Sequence, residues 1–197
     1  MRIAGTLSIP FIARPVGAVR SELDQARLRR AFDANYTGVW RFLRRLGVAP
    51  DRVDDAAQQV FLIALEAMER IHEGSERAYL YATAVRVAHG IRRKIQRELA
   101  SPELDADASP LPSPAQLTDQ KRAREALDAI IARLDEDQRT VFVLAEFEDF
   151  TTPEIATLLD VPLGTAASRL RRAREKFQML VRRAYGDVQG DAPKGAS

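Results

Sequence analysis

The sequence has no cysteine and only two histidines, His72 and His89. That excludes a disulfide framework, a thiolate zinc site and a cysteine nucleophile, and it leaves too few imidazoles for a histidine metal cluster. No cofactor and no small-molecule substrate are expected. Long apolar runs are missing: none approaches the roughly 18 residues of a membrane-crossing helix. The opening MRIAGTLSIPFIARPVGAVR holds a short apolar patch, but Pro10 and Pro15 interrupt it and no cleavage site follows. It is therefore not read as a signal peptide, and the expected location is cytoplasmic, away from membranes. Strand signals are absent too, with no alternating segment and no Asn-Gly hairpin. Net charge is only +2 over 197 residues, so the distribution of charge matters more than its total. What is present, 46% apolar and 29% charged residues, describes a globular chain with a core, long enough for two small domains.

The most informative stretch runs from Thr151 to Lys176, TTPEIATLLDVPLGTAASRLRRAREK. Thr151 and Glu154 have the spacing of a capping box, and Pro153 sits in a first turn, where no backbone N–H is needed. Ile155, Leu158 and Leu159 give a short helix its apolar stripe, and Asp160-Val161-Pro162 ends it, because proline disfavours helical geometry before it. A second helix starts near Leu163 to Thr165. Its apolar face is Ala166, Leu170, Ala173, Phe177 and Leu180. Thr165, Ser168 and Arg172 point away from that face, flanked by Arg169 and Arg171. In a helix-turn-helix such a second helix enters the DNA major groove. The competing reading is a basic helix with a solvated charged face. Local charge favours DNA. Arg133 to Asp160 carries two basic and eight acidic residues, and Val161 to Tyr185 seven basic and one acidic. That reversal suggests a positive face for a polyanion and an opposite face kept away from it.

The rest of the chain reads as all-α. Residues 1–20 form an irregular arm. From residue 21, Leu23, Leu28, Ala31, Phe32, Tyr36, Val39, Trp40, Leu43 and Leu46 recur at helical steps, with a bend allowed near Asn35 and Gly47 as a C-terminal cap. A second helix opens after Ala49-Pro50-Asp51 and buries Val53, Ala57, Val60, Phe61, Ala64, Leu65 and Met68, with Asp54, Asp55, Gln58 and Gln59 opposite. A third follows Gly74-Ser75 through Leu80, Ala84, Val87, Ala88, Ile91 and Ile95, and ends in Arg92, Arg93, Lys94 and Arg97. The first domain, 21–98, is then a three-helix bundle with Trp40 and Phe61 as core anchors. Residues 99–120 contain four prolines, four acidic residues and no lysine or arginine, the composition of a linker. A four-helix domain over 121–185 begins with the stripe Ala123, Leu127, Ile130, Ile131 and Leu134, then Val141, Phe142, Leu144 and Ala145. A disordered tail is expected over 186–197.

Two small helical bundles, an acidic linker and a C-terminal helix-turn-helix resemble a sigma factor of bacterial RNA polymerase, in the extracytoplasmic-function group of the sigma-70 family. DDAAQQVFLIAL (Asp54–Leu65) resembles the family helix that grips a coiled coil on the large polymerase subunit. The resemblance implies core-polymerase contacts from Asp54, Asp55, Gln58, Gln59, Phe61 and Leu62. AYLYATAVRVAHGIRRK (Ala78–Lys94) resembles the helix that recognises and melts the −10 promoter element, implying contacts from Tyr79, Arg86, Arg92, Arg93 and Lys94. Leu134–Lys176 resembles the −35-reading domain, including its Val-Pro-x-Gly-Thr turn, and implies contacts from Thr165, Ser168, Arg169, Arg171, Arg172 and Arg174. The sequence departs from the family pattern at several of these positions. Gln59 stands for a common glutamate, Tyr79 for a tryptophan, Val85-Arg86 for Arg-Asn and Gly90 for an aspartate. Ala166 and Ala167 stand for a valine and a basic residue, which shifts base reading toward Ser168, Arg169, Arg171 and Arg172.

The implied partners are core RNA polymerase and promoter DNA, and, since many members of the group are held by an anti-sigma factor, the resemblance admits one here. Two other readings stay open on sequence. A polymerase-independent helix-turn-helix regulator explains 151–176 but not Asp54–Leu65, and a sigma-like binding module without initiation activity fits the departures. A nuclease built on Asp54, Asp55, Glu66 and Glu69 lacks any accompanying nucleophile or phosphate loop, so no catalytic residues are assigned and the chain is not read as an enzyme.

Overall fold

In the computed structural model, which describes residues 22–99 and 119–185, helix α1 (Glu22–Arg45) runs without a break through Asn35. The Asn35 amide donates to the Ala31 carbonyl four residues back at 2.8 Å, so its side chain is satisfied inside the helix. Gly47, at φ +93, ends α1: its N–H donates to Arg44 O at 3.0 Å and that of Val48 to Leu43 O at 3.1 Å, a two-bond cap suited to a residue without Cβ. Helix α2 (Val53–Ala67) follows, continued by a 3₁₀ turn over Met68–Arg70, and then α3 (Glu76–Leu99). Phe42 and Leu43 of α1, Val53 and Val60 of α2 and Leu80 and Ala84 of α3 are almost fully buried between these helices. A buried side chain of this size contributes about 1.5–3 kcal/mol. Phe61 is an anchor as expected, whereas Trp40 is only partly buried, because its indole N–H reaches Asp54 Oδ1 at the surface, 2.8 Å away.

The second bundle comprises α4 (Asp119–Ile131), α5 (Glu136–Glu146), α6 (Thr152–Leu159) and α7 (Leu163–Tyr185). Ile131, Val141, Leu144, Ile155, Leu170 and Ala173 form its interior. The expected arm and tail lie outside the described residues, as does the linker apart from Leu99, Asp119 and Gln120, which belong to the ends of α3 and α4. All regular structure among the described residues is helical.

The two bundles are packed on each other, which the sequence did not foretell. Tyr81 and Val85 of α3 are buried as well as Leu80 and Ala84, so this helix is covered on a second side. Tyr81 stands edge-on between Phe42 and Phe150, with ring centroids 5.1 and 5.2 Å away. Arg77 lies over the Phe150 ring at 4.2 Å, and Arg45 over that of Phe147 at 4.0 Å. Arg139, buried on α5, donates to the carbonyls of Ala132 and Leu134 after α4 and to Leu46 O at the end of α1. One guanidinium thus closes the C-terminal ends of a helix in each bundle.

Candidate nucleic-acid interface

The helix-turn-helix forms as the residues dictate. The Thr151 N–H and hydroxyl both donate to Glu154 Oε2 at 2.7 Å, completing the capping box, and they hold the Glu154 carboxyl below its usual value. The direct terminator of α6 is Asp160, in the left-handed region at φ 53, ahead of the proline. A short polar side chain tolerates that geometry. The Val161 N–H then bonds Ala156 O at 3.0 Å, and the Thr165 and Ala166 N–H groups bond Pro162 O at 2.9 and 3.1 Å, which sets the start of α7.

Burial of Ala166, Leu170 and Ala173 fixes the rotation of α7. Ala167, Arg171 and Arg172 are exposed, while Thr165 and Ser168 are partly covered, the Ser168 hydroxyl donating to Thr165 O at 3.0 Å. The cations differ in their freedom. Arg169 meets Asp137 at 2.5 Å, Arg174 meets Glu146 at 2.7 Å and Lys176 meets Asp135 at 3.1 Å. Arg171 pairs along its own helix with Glu175 at 2.6 Å. Arg172 makes no ion pair or side-chain hydrogen bond among the described residues. The acidic half of this bundle is therefore not held opposite the basic half, as the charge reversal suggested. Its α5 carboxylates flank α7 and tether one side of it.

On α3, Tyr79, Arg86 and Arg93 recur every seventh residue and share one stripe, with Gly90 and Arg97 beside it. Tyr79 is partly buried, with the Arg86 guanidinium 5.8 Å from its ring centroid, and Arg86 also donates to Thr83 Oγ1 at 2.9 Å. Arg93 and Lys94 are exposed. Gly90, Arg93, Gln96 and Arg97 line an open depression. Arg92 is not on this stripe. It faces the second bundle and meets Glu136 of α5 at 2.9 Å. Tyr81 also points inward, as packing rather than as a base contact.

The polar face of α2 is as expected: Asp54, Asp55, Gln58 and Gln59 are exposed, with Leu62 beside them at 52% exposure, while Phe61 is 6% exposed. Sequence reasoning missed the neighbouring part of α1. Phe32, 40% exposed, stacks on Tyr36 and meets Phe61, with centroids 4.8 Å apart in both pairs. Both aromatics belong to the apolar repeat of the first helix, and helical phase alone does not tell the rim of such a stripe from its centre.

The seam between the bundles holds a buried carboxyl that no motif announced. Glu148 accepts from the Tyr81 hydroxyl, its backbone carbonyl accepts from Arg77, and Arg45 lies 3.9 Å from Oε1. Burial pushes the Glu148 carboxyl above its usual range, against the pull of Tyr81, Arg45 and Arg77. Burial, with the Glu148 charge adding to it, pushes the Tyr81 phenol up as well. Burial lowers the Arg139 pKa, helped by the positive charge of Arg92.

The chain matches the family model of sigma-70 region 2 over residues 31–98 and that of sigma-70 region 4 over residues 124–177. It is 30% identical over 146 residues to the ECF RNA polymerase sigma-E factor of Escherichia coli K12, covering 66% of this chain and 76% of that protein. It is 24% identical over 143 residues to the ECF sigma factor SigE of Mycolicibacterium smegmatis, covering 71% of this chain and 56% of that protein. In fold it is similar to the sigma factor RpoE of Bartonella quintana, solved with the anti-sigma factor NepR, at a TM-score of 0.65 and 20% identity over 78% of this chain and 96% of that one. CnrH, solved with the cytosolic domain of CnrY, gives a TM-score of 0.59 and 21% identity over 80% and 88% of the two chains.

Proposed function

The chain belongs to the sigma-70 family, in its ECF group of RNA polymerase sigma factors, and we propose that it directs promoter-specific initiation through three surfaces of its own. The first bundle, residues 21–98, docks on core RNA polymerase with Asp55, Gln58, Gln59 and Leu62, over a base formed by Phe61, with Asp54 held by Trp40 at the edge. The exposed stripe of α3, Arg86 and Arg93 with Tyr79 beside them and Lys94 flanking, reads and holds the opened −10 element. Cations track the backbone, and an aromatic face stacks on an unpaired base. The second bundle, residues 121–185, places α7 in the major groove of the −35 element. There Arg171 and Arg172 lead, with Ser168 and Thr165 at its start and Arg169 and Arg174 at its sides.

The single observation that supports this reading best is the presence of two separate basic helices, one per bundle, in a chain whose bundles each match a different region of the same family. Neither helix alone is a strong reader, since each good base contact is worth about 1–3 kcal/mol of discrimination. Docking both bundles on one polymerase makes the second contact intramolecular, so promoter choice follows from two weak readers at a set spacing. The protein acts by binding, not by catalysis, and works in the cytoplasm with polymerase and promoter DNA. An anti-sigma factor is a further partner, consistent with the complexes in which both structural neighbours were solved. In vitro transcription with core polymerase and a promoter library tests the reading. Run-off product from a defined promoter subset is expected only with both proteins present, and absence of product at every promoter refutes it.

A further inference from the structure

Helix α3 carries a glycine that its own packing does not call for. Gly90 lies well inside α3, where glycine is the least favourable residue after proline. Its backbone is ordinary, since the described glycines at positive φ are Gly47 and Gly74. At Gly38, inside α1, a Cβ would lie 2.5 Å from the Tyr81 hydroxyl, so the fold itself needs a bare backbone there. At Gly90 a Cβ would meet no described atom within 4 Å. Neither turn geometry nor close packing explains this glycine, and a side chain there would only fill the space in front of the helix. That space is the open depression lined by Gly90, Arg93, Gln96 and Arg97, about 600 Å³ in volume and within the range of small-ligand sites. Its surroundings are cationic: from Arg77 to Arg97 the helix carries six basic residues and no acidic one. Arg86, one turn before Gly90, and Arg93, one turn after it, stand on the same face. Arg93 is exposed and makes no ion pair or side-chain hydrogen bond among the described residues. The Arg97 Nε donates to Arg93 O at 3.3 Å, which lays that side chain back along the helix. Gln96 adds an amide that both donates and accepts.

We propose that this depression seats one unpaired nucleotide of the opened −10 strand, with its base flat on the bare backbone at Gly90, its edge met by Gln96 and its flanking phosphates taken by Arg93 and Arg97. The proposal rests on the assignment of α3 to the −10 element, and it adds Gly90, Gln96 and Arg97 to that surface. Duplex DNA offers base edges in its grooves but no free base face, so a seat of this kind selects the opened strand. Guanidiniums suit both parts of the ligand, because they pair with phosphate and stack on a planar ring. The aspartate of the family pattern would bring a carboxylate into the same space and repel a phosphate, so the seat is a property of this chain.

Gly90→Ala and Gly90→Leu fill the depression in two steps while improving the helix, so stability and binding should move in opposite directions. Both substitutions should raise the unfolding midpoint of the full chain by a few degrees. Both should weaken binding of the holoenzyme, core polymerase with the full chain, to a single strand carrying the −10 element of a promoter selected by run-off transcription. Leu should weaken it more than Ala. The same titration is then repeated with an abasic site at each position of the element in turn. In the wild type one position should cost about 5- to 100-fold, the effect of removing one stacked base. With Gly90→Leu the intact strand should lose a similar factor, and the abasic penalty should fall to about twofold or less at that position alone. Gly90→Leu binding the intact strand as tightly as the wild type would overturn the proposal. So would weaker binding with every abasic penalty unchanged, or an unfolding midpoint that both variants lower, which would give Gly90 a packing role inside the fold. Failure of the functional reading would look different: wild-type holoenzyme would hold the −10 strand no better than a scrambled one, while the unfolding midpoints would still rise.

Discussion

Tyr81 of α3 and Glu148, just beyond α5, share one hydrogen bond across 67 residues of chain, with the phenol donating to the carboxylate where both are buried. The groups facing this carboxyl are Tyr81, Arg45, Arg77 and Asp149, the first three drawing its pKa down and the last raising it along with burial. The net shift is upward, so the folded state binds this proton more tightly than the unfolded chain does. Stability from this site is therefore fully present below the ordinary value of 4.5 and is lost as pH rises through the raised folded value. Glu148→Gln carries no titrating proton. Urea unfolding of both proteins from pH 7 down to 4.5 should show the wild type gaining on the variant, with a slope of at most about 1.4 kcal/mol per pH unit. A wild type that loses ground on acidification relative to Glu148→Gln would contradict the assigned direction.

How much of this could be read from the sequence follows from the range of each interaction. The capping box of Thr151 and Glu154, the Gly47 cap and the apolar stripes of α2, α3 and α7 are local, and spacing alone reveals them. So is the exposure of Arg171 and Arg172, which follows once Ala166, Leu170 and Ala173 define the inner face. The seam is not local. Tyr81, Phe150, Glu148 and Arg139 gain their meaning from contacts between bundles, and nothing about an isolated Glu-Asp-Phe marks the glutamate as buried. The pairing of Arg92 with Glu136 is hidden for the same reason: a basic patch at a helix end shows charge, but not which cation turns inward. Trp40 and Phe32 show a third limit, since helical phase puts a large side chain on a face without saying whether that face ends there.

The aromatic rim of α1 extends the proposed polymerase surface. Leu62 and Phe32 are 52% and 40% exposed in the free chain; Leu62→Ala should leave the unfolding midpoint nearly unchanged, and Phe32→Ala, which gives up the Tyr36 and Phe61 contacts worth about 0.5–1.5 kcal/mol each, should lower it modestly while the chain stays folded. Each should weaken core-polymerase binding by about tenfold, the effect of removing a contact worth about 1.4 kcal/mol at the centre of an interface. Titration of labelled core polymerase with both variants reads this directly. Weakening by Leu62→Ala alone would confine the surface to α2 and exclude α1.

Arg172 separates reading from docking. Its guanidinium is exposed on the outward side of α7 and makes no ion pair or side-chain hydrogen bond among the described residues, so it is available to DNA at no internal cost. Arg174, by contrast, must give up Glu146 before it can bind a phosphate, and Arg169 must give up Asp137. Arg172→Ala should therefore lower transcription from −35-dependent promoters by about 10- to 100-fold, the equivalent of about 1–3 kcal/mol for a base-reading arginine, and relax selection at the contacted position. Arg174→Ala should cost less and act evenly across sequences, as a phosphate contact does. Core-polymerase affinity should be unchanged in both variants, because the proposed docking residues lie on α1 and α2. Run-off transcription over a set of −35 variants, paired with a polymerase-binding titration, distinguishes these outcomes. Loss of polymerase binding in Arg172→Ala would move α7 from the DNA to the enzyme and reverse the assignment of this helix.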